Sequence, residues 1–259
     1  MNSLYNKNVI ITGGTHGIGA TTAKLFYHEG ANVVIVGRDE EKADKIIKGL
    51  NGNRMTFKKC DLTQRNEVLK LANWIKNSEI TYNVLVNNAS KNSRYNVTNI
   101  TLQEWDAMIE LNLTSTLILS SAFVHKLKIQ KKPGKIINIG AIQSLMPLES
   151  SLAYSTVKGA LRSMTKSMAI DLAPFNILVS LVIPGPIYAK SDSDEPPKDL
   201  DSRAATLLGR MGRKIEVAKL LKFLSSDDNS FMTGNEIIID GGRLISRKPD
   251  PTEIKNDII

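Results

Sequence analysis

TGGTHGIG, residues 12–19, overlaps the end of a strand-like run, KNVIITG (7–13), and opens an apolar-periodic segment over 18–29. Three glycines in this stretch, Gly13, Gly17 and Gly19, form a G-x3-G-x-G pattern. Without side chains, such positions let the chain turn tightly. They also let the backbone approach a pyrophosphate and let the helix pack close to the strand. The first turn of the helix then offers free N–H groups and the positive end of its dipole to phosphate oxygens. A glycine pattern alone is weak evidence; between a strand and a helix it predicts a dinucleotide-binding βα unit. Thr15 and His16 add a hydroxyl and a partial positive charge, and Ile18 completes the candidate set of the turn.

Outward from the turn, the pattern repeats. Short, β-branched apolar runs stand at 32–36, 55–60, 83–88, 135–140, 177–183 and 235–240. Helical periodicity fills 40–49, 64–77, 101–130, 152–173 and 214–225. Strands that are apolar on both faces and alternate with helices predict a parallel sheet covered on both sides, an α/β doubly wound fold. One domain is expected over 1–243, with a polar, proline-containing lid at about 189–208 and a polar tail over 244–259. The lid stretch carries Asp192, Asp194, Glu195, Asp199 and Asp201.

Composition bounds the function classes. Hydrophobic residues make up 42 % of the 259, enough for a large core, and no run is expected to reach the ~20 apolar residues of a membrane span. The N-terminal residues lack the basic, apolar and small-residue order of a signal peptide, and a lone Cys60 forms no internal disulfide, so a cytoplasmic protein is expected. The net charge is +8, but Lys and Arg are spread without a dense block or interleaved aromatics. That distribution argues against nucleic acid and is compatible with an anionic cofactor or substrate. No metal site is expected.

Which dinucleotide is bound depends on the end of the second strand. An acidic residue there would bond the ribose hydroxyls of NAD, whereas this strand runs into Gly37-Arg38. Arg38 presents a guanidinium fork to a 2′-phosphate, so NADP(H) is expected; Asp39, one step on, is the counter-argument. A second feature lies at AYSTVKG (153–159), where Tyr154 and Lys158 are four apart in a helical segment and so share a face. A tyrosine hydroxyl with a pKa near ~10 becomes an acid–base at neutral pH only if a neighbour such as an ammonium favours the phenolate.

With CDL at 60–62, NNA at 87–89, LN at 111–112, PG at 184–185 and TG…DGG from 233 to 242, these motifs closely resemble the short-chain dehydrogenase/reductase family from about residue 5 to 243. The resemblance implies a Rossmann fold with a seven-stranded sheet in the order 3-2-1-4-5-6-7, nicotinamide chemistry on carbonyls or secondary alcohols, and a homo-oligomer, usually a tetramer. It implies that Asp61 and Leu62 border the adenine, that Asn88 and Ala89 lie along the cofactor, and that Pro184, Gly185 and Ile187 flank the nicotinamide. Tyr154 would exchange the proton, Lys158 would grip the nicotinamide ribose, and Asn112 would hold a relay water.

Two departures stand out. The family serine that bonds the substrate oxygen, thirteen residues before the tyrosine, falls at 154 − 13 = 141, which is alanine. Ser144 is the first candidate to replace it and Gln143 the second. Ala189 stands where the family usually has threonine. Three activities are therefore weighed: an NADPH-dependent carbonyl reductase, including one for 3-oxoacyl thioesters; a sugar or polyol dehydrogenase; and a cofactor-binding scaffold without catalysis.

Overall fold

The computed structural model describes residues 3–189, 193, 195–198 and 205–248. Strands β1 (Asn8–Thr12), β2 (Asn32–Gly37), β3 (Met55–Lys59), β4 (Val84–Asn87), β5 (Gly134–Ile139), β6 (Ile177–Pro184) and β9 (Glu236–Ile239) form one parallel sheet in the order β3-β2-β1-β4-β5-β6-β9. With β9 as the seventh strand in sequence order, this is the expected arrangement. Two strands not foreseen, β7 (Ile187–Tyr188) and β8 (Gly212–Arg213), pair with each other beyond its edge.

Successive side chains of a strand leave opposite faces, so each strand feeds two cores. Ile10, Val34, Leu85, Ile136 and Val179 pack against α3 (Arg65–Asn77), α5 (Ser115–Gln130) and the C-terminal part of α6 (Leu152–Leu172). Val9, Ile11, Val33, Ile35, Val86 and Val182 pack against α1 (Gly17–His28) and α7 (Lys214–Ser225). The short α2 (Glu40–Lys48) adds Ala43 to that second layer.

The segment 101–130, expected as one helix, is divided into α4 (Leu102–Ile109), a π-helical turn (Glu110–Thr114) and α5. The π turn contains Asn112, and such turns are frequent at functional sites. By length and composition this Leu102–Gln130 rod is apolar enough to cross a membrane, contrary to the sequence expectation. Its apolarity is used inside the domain: Leu119, Ala122 and Leu127 have no exposure at all. Much of the expected lid, with Asp192, Asp194, Asp199 and Asp201, lies outside the described residues, as does the tail from 249 on. Glu195, from the same stretch, is ion-paired with Arg213 at 3.0 Å.

Candidate active site

The parallel strands all end on one edge, and a cleft of about 730 Å³ opens there. Its floor is the glycine turn. Gly13 has φ +65°, and a Cβ on it would stand 2.9 Å from Ala89 Cα and from Asn88 Nδ2. Gly19 is closer still to its neighbours, with a Cβ only 2.3 Å from Gly13 O. Gly13, Thr15, His16, Gly17 and Ile18 line the cleft; Gly19 lies beneath it as a packing residue. Asn88 straps the end of β4 to the turn, donating from Nδ2 to Thr12 O at 2.9 Å, while the amides of Asn88 and Ala89 both donate to Thr12 Oγ1. No side chain caps the N-terminus of α1, and its first turn carries no acidic residue. The helix therefore presents open amides and an uncompensated dipole to the cleft, a cradle suited to a pyrophosphate.

At one end of the cleft, Thr15 Oγ1 and His16 Nδ1 are 2.9 Å apart, and Thr15 lies over Gly37, where a side chain would press on its hydroxyl. Arg38 lines the cleft and is mostly exposed, 3.5 Å from Asp61. Asp39, the counter-argument to NADP, does not line it: its carboxylate caps α2, accepting from the Lys42 amide at 3.0 Å. That bond holds its carboxyl below the usual range. Lys42 reaches back to His16 Nε2 and to Asp39, so Arg38, His16 and Lys42 gather at this end. Lys42 was missed in the sequence. Its only trace there is its spacing, three residues after a helix-capping aspartate. Asp61 and Leu62 line the same end; burial opposes Asp61's ionisation, but the Thr63 amide and hydroxyl and Arg38 hold its carboxyl below the usual value. Burial pushes the Cys60 thiol up to about 12, which leaves it unreactive.

At the other end Tyr154 and Lys158 project from α6 side by side into the cleft. Lys158 Nζ lies 5.7 Å from the Tyr154 ring centroid and donates to Ile139 O at 2.8 Å. Burial lowers the Lys158 pKa to about 7. The expected lowering of the Tyr154 pKa does not emerge from the protein's own groups: burial raises it, and a hydrogen bond with Ser90 pulls the other way. Lys158 donates to Ile139 O rather than to the phenol, and burial weakens its own charged form.

Pro184, Gly185, Ile187 and Ala189 form the wall opposite the turn. Gly185 allows the close crossing, because a Cβ there would meet Asp240 Cα at 2.6 Å. Asn112 is buried behind the cleft; its Nδ2 donates to Met108 O at 3.0 Å and its Oδ1 accepts from Ser90 at 2.8 Å. Its side chain thus has partners in the protein and reaches the site only through Ser90. Ser144 is the first sequence candidate to replace the missing serine. It is absent from the lining, and its hydroxyl donates to Ala141 O at 2.7 Å, closing the turn after β5. Ala141 and Gln143 do line the cleft.

Comparison with known proteins agrees with this geometry. The profile of the short chain dehydrogenase family matches residues 7–199. Cyclopentanol dehydrogenase of Comamonas testosteroni is 33 % identical over 247 residues, covering 93 % of this chain and 98 % of that enzyme. The NADP-dependent (R)-specific alcohol dehydrogenase of Lentilactobacillus kefiri is 31 % identical over 246 residues, with 92 % and 97 % covered. A solved structure described as a short chain dehydrogenase/reductase family protein superposes with a TM-score of 0.82 at 28 % identity, over 93 % of this chain and 98 % of its own. With the sheet order, the glycine cradle and the Tyr154–Lys158 pair on one cleft, these matches establish that the chain belongs to the short-chain dehydrogenase/reductase family of oxidoreductases acting on CH–OH and C=O groups.

Proposed function

We propose that this chain is an NADP(H)-dependent reductase that converts a ketone into a secondary alcohol. The observation that carries the reading is the single cleft that joins an uncapped α1 N-terminus, a cationic end at Arg38 and a paired tyrosine and lysine. The α1 amides hold the pyrophosphate, and Arg38 with Lys42 meets the 2′-phosphate as charge-assisted donors. Asp61 and Leu62 flank the adenine, Asn88 and Ala89 run beside the dinucleotide, and Pro184, Gly185 and Ile187 border its ring. The reduced nicotinamide supplies the hydride when bound.

The chain's own part is the proton. A phenol whose pKa burial holds above its ordinary value carries its proton at neutral pH, so Tyr154 is prepared to donate to the developing alkoxide. Lys158, held by Ile139 O, fixes the depth of the site and stands beside the ring. With alanine at 141, the Gln143 amide is the lining group able to donate a second hydrogen bond to the substrate oxygen. Two relatives whose names specify alcohols support a secondary-alcohol product, and one of them is NADP-dependent by name. Exposed Leu117 and Ile129 on α5 and Ile170 on α6 support the expected homo-oligomer, testable by light scattering.

The test is purified protein assayed with NADPH and NADH against ketones, 3-oxoacyl thioesters and aldoses. NADPH-dependent ketone reduction is the expected result. NADPH binding with no turnover on the panel, or faster aldose oxidation with NAD, contradicts the reading.

A further inference from the structure

Tyr154, Lys158, Arg162 and Lys166 recur every four residues along α6 and form one stripe on the helix. Two of them grip the loop after β5. Lys158 donates to Ile139 O at 2.8 Å, and Arg162 Nη1 donates to Ser144 O at 3.1 Å. These two carbonyls bracket residues 140–143, of which Gly140, Ala141 and Gln143 line the cleft. The helix that carries the tyrosine therefore also holds, from both ends, a stretch of the cleft wall.

That stretch has little rigidity of its own. The 3-10 turn at Ile142–Ser144 is three residues long. Its bonds run from the Ser144 amide and hydroxyl to Ala141 O, and from the Leu145 and Met146 amides to Ile142 O. A single 3-10 turn has poorer hydrogen-bond geometry than an α-helix and gains no cooperative support from further turns. An anchor from outside fixes its position.

The anchor is itself braced. Arg162 Nε and Nη2 both donate to Glu236 Oε2 on β9, at 3.1 and 2.8 Å. Lys166 Nζ pairs with the other oxygen, Oε1, at 2.8 Å. The hydrogen bond from Arg162 holds the Glu236 carboxyl below the usual range, so it stays ionised at neutral pH. A guanidinium is planar, with its donors in a rigid fork, so fixing one edge on the carboxylate aims Nη1 at the turn. One side chain thereby ties α6, β9 and the loop after β5 together. Neither Arg162 nor Glu236 lines the cleft, so both act on it through the turn.

We propose that Arg162 is a positioning residue for the ketone end of the site: its guanidinium, braced by Glu236, clamps the 141–144 turn and fixes the backbone beneath Gln143. The inference rests on the reading of Gln143 as the group that donates to the substrate oxygen in place of a serine at 141. A glutamine side chain is longer and has more rotatable bonds than a serine, so its placement depends more on a fixed backbone. The glycine cradle and Arg38 stand at other strand ends, so releasing the clamp acts on the ketone and spares cofactor binding.

The experiment compares wild type, Arg162→Met, Gln143→Ala and the double variant. Methionine keeps the length of the side chain without the fork, and Glu236 keeps Lys166 as its partner. Arg162→Met is expected to lower kcat/KM for ketone reduction by roughly 10- to 100-fold, with NADPH affinity unchanged. On the Gln143→Ala background the same substitution is expected to change the rate less than 3-fold, because its target is already gone. An equal loss on both backgrounds overturns the inference, since a general weakening of the fold does not depend on Gln143. Arg162→Lys keeps the charge beside Glu236 but not the fork; full recovery of the rate in that variant also overturns it. Hydrogen exchange at the Ser144, Leu145 and Met146 amides reads the turn without turnover. Exchange about 10-fold faster in Arg162→Met is the expected result, and rates equal to wild type overturn the clamp. A wild type that reduces no ketone contradicts the reductase reading, and the exchange rates then decide the clamp alone. If Arg162→Met does not fold, Glu236→Gln is measured in the same way, with a smaller acceleration expected and none overturning the brace.

Discussion

Asp39 looked like an obstacle to NADP, yet its carboxylate is spent on the N-terminus of α2. The positive charge at this end of the cleft belongs to Arg38, with Lys42 behind it. Arg38→Asp is accordingly expected to weaken NADPH relative to NADH by about 10- to 100-fold, the worth of a hydrogen bond to a charged group. An unaltered cofactor preference in kcat/KM would remove Arg38 from the phosphate site. Lys42→Glu should move the ratio in the same direction by a smaller factor. Spacing alone made Tyr154 and Lys158 legible in the sequence, because four residues on a helix place two side chains on one face. Which neighbour of Ala141 lines the cleft was not legible. Ser144 and Gln143 are adjacent in sequence, and only the 3-10 turn at Ile142–Ser144 separates them, turning the Ser144 hydroxyl to Ala141 O while Gln143 lines the cleft.

Element by element, the inner strands were readable because they are mostly apolar on both faces, the signature of a parallel sheet covered by helices, whereas the edge strand β3 reads MTFKK. The divided helix at 101–130 was not. The π turn at Glu110–Thr114 inserts no breaker into the sequence; it exists through backbone bonding and brings Asn112 behind Ser90. The glycine turn is the element on which the proposed cofactor binding depends. Gly19→Ala would drive a methyl group to within 2.3 Å of Gly13 O, a backbone atom that cannot step aside. The expected result is a loss of roughly 1–3 kcal/mol of stability from overpacking, together with a raised KM for NADPH because the turn is displaced. Denaturant unfolding and steady-state kinetics on the same variant check both parts. A change in neither would mean that α1 can move away from β1 without cost.

For the whole molecule, the chemistry is buried in the fold's own stability. Lys158 has its pKa lowered from 10.5 to about 7 by burial. Above pH 7 the unfolded chain binds this proton more readily than the folded one, so the contribution of Lys158 makes stability rise as pH climbs from about 7 toward 10.5, and fall on the way back. Lys158→Met removes that dependence. Between pH 7 and 9 the variant is expected to gain about 2 kcal/mol less stability than wild type, measured by chemical unfolding. Lys135 also titrates low through burial but is common to both proteins and cancels in the difference. Equal pH slopes would contradict a lysine kept neutral by its surroundings. The central claim is that the cofactor cleft and the Tyr154 proton act together but are separable. It is tested most directly by measuring, on the Tyr154→Phe protein, NADPH affinity by fluorescence and ketone reduction by NADPH consumption. The account predicts unchanged affinity and a rate lower by about 10²–10⁴-fold; a rate equal to that of wild type, with NADPH still bound, would contradict it.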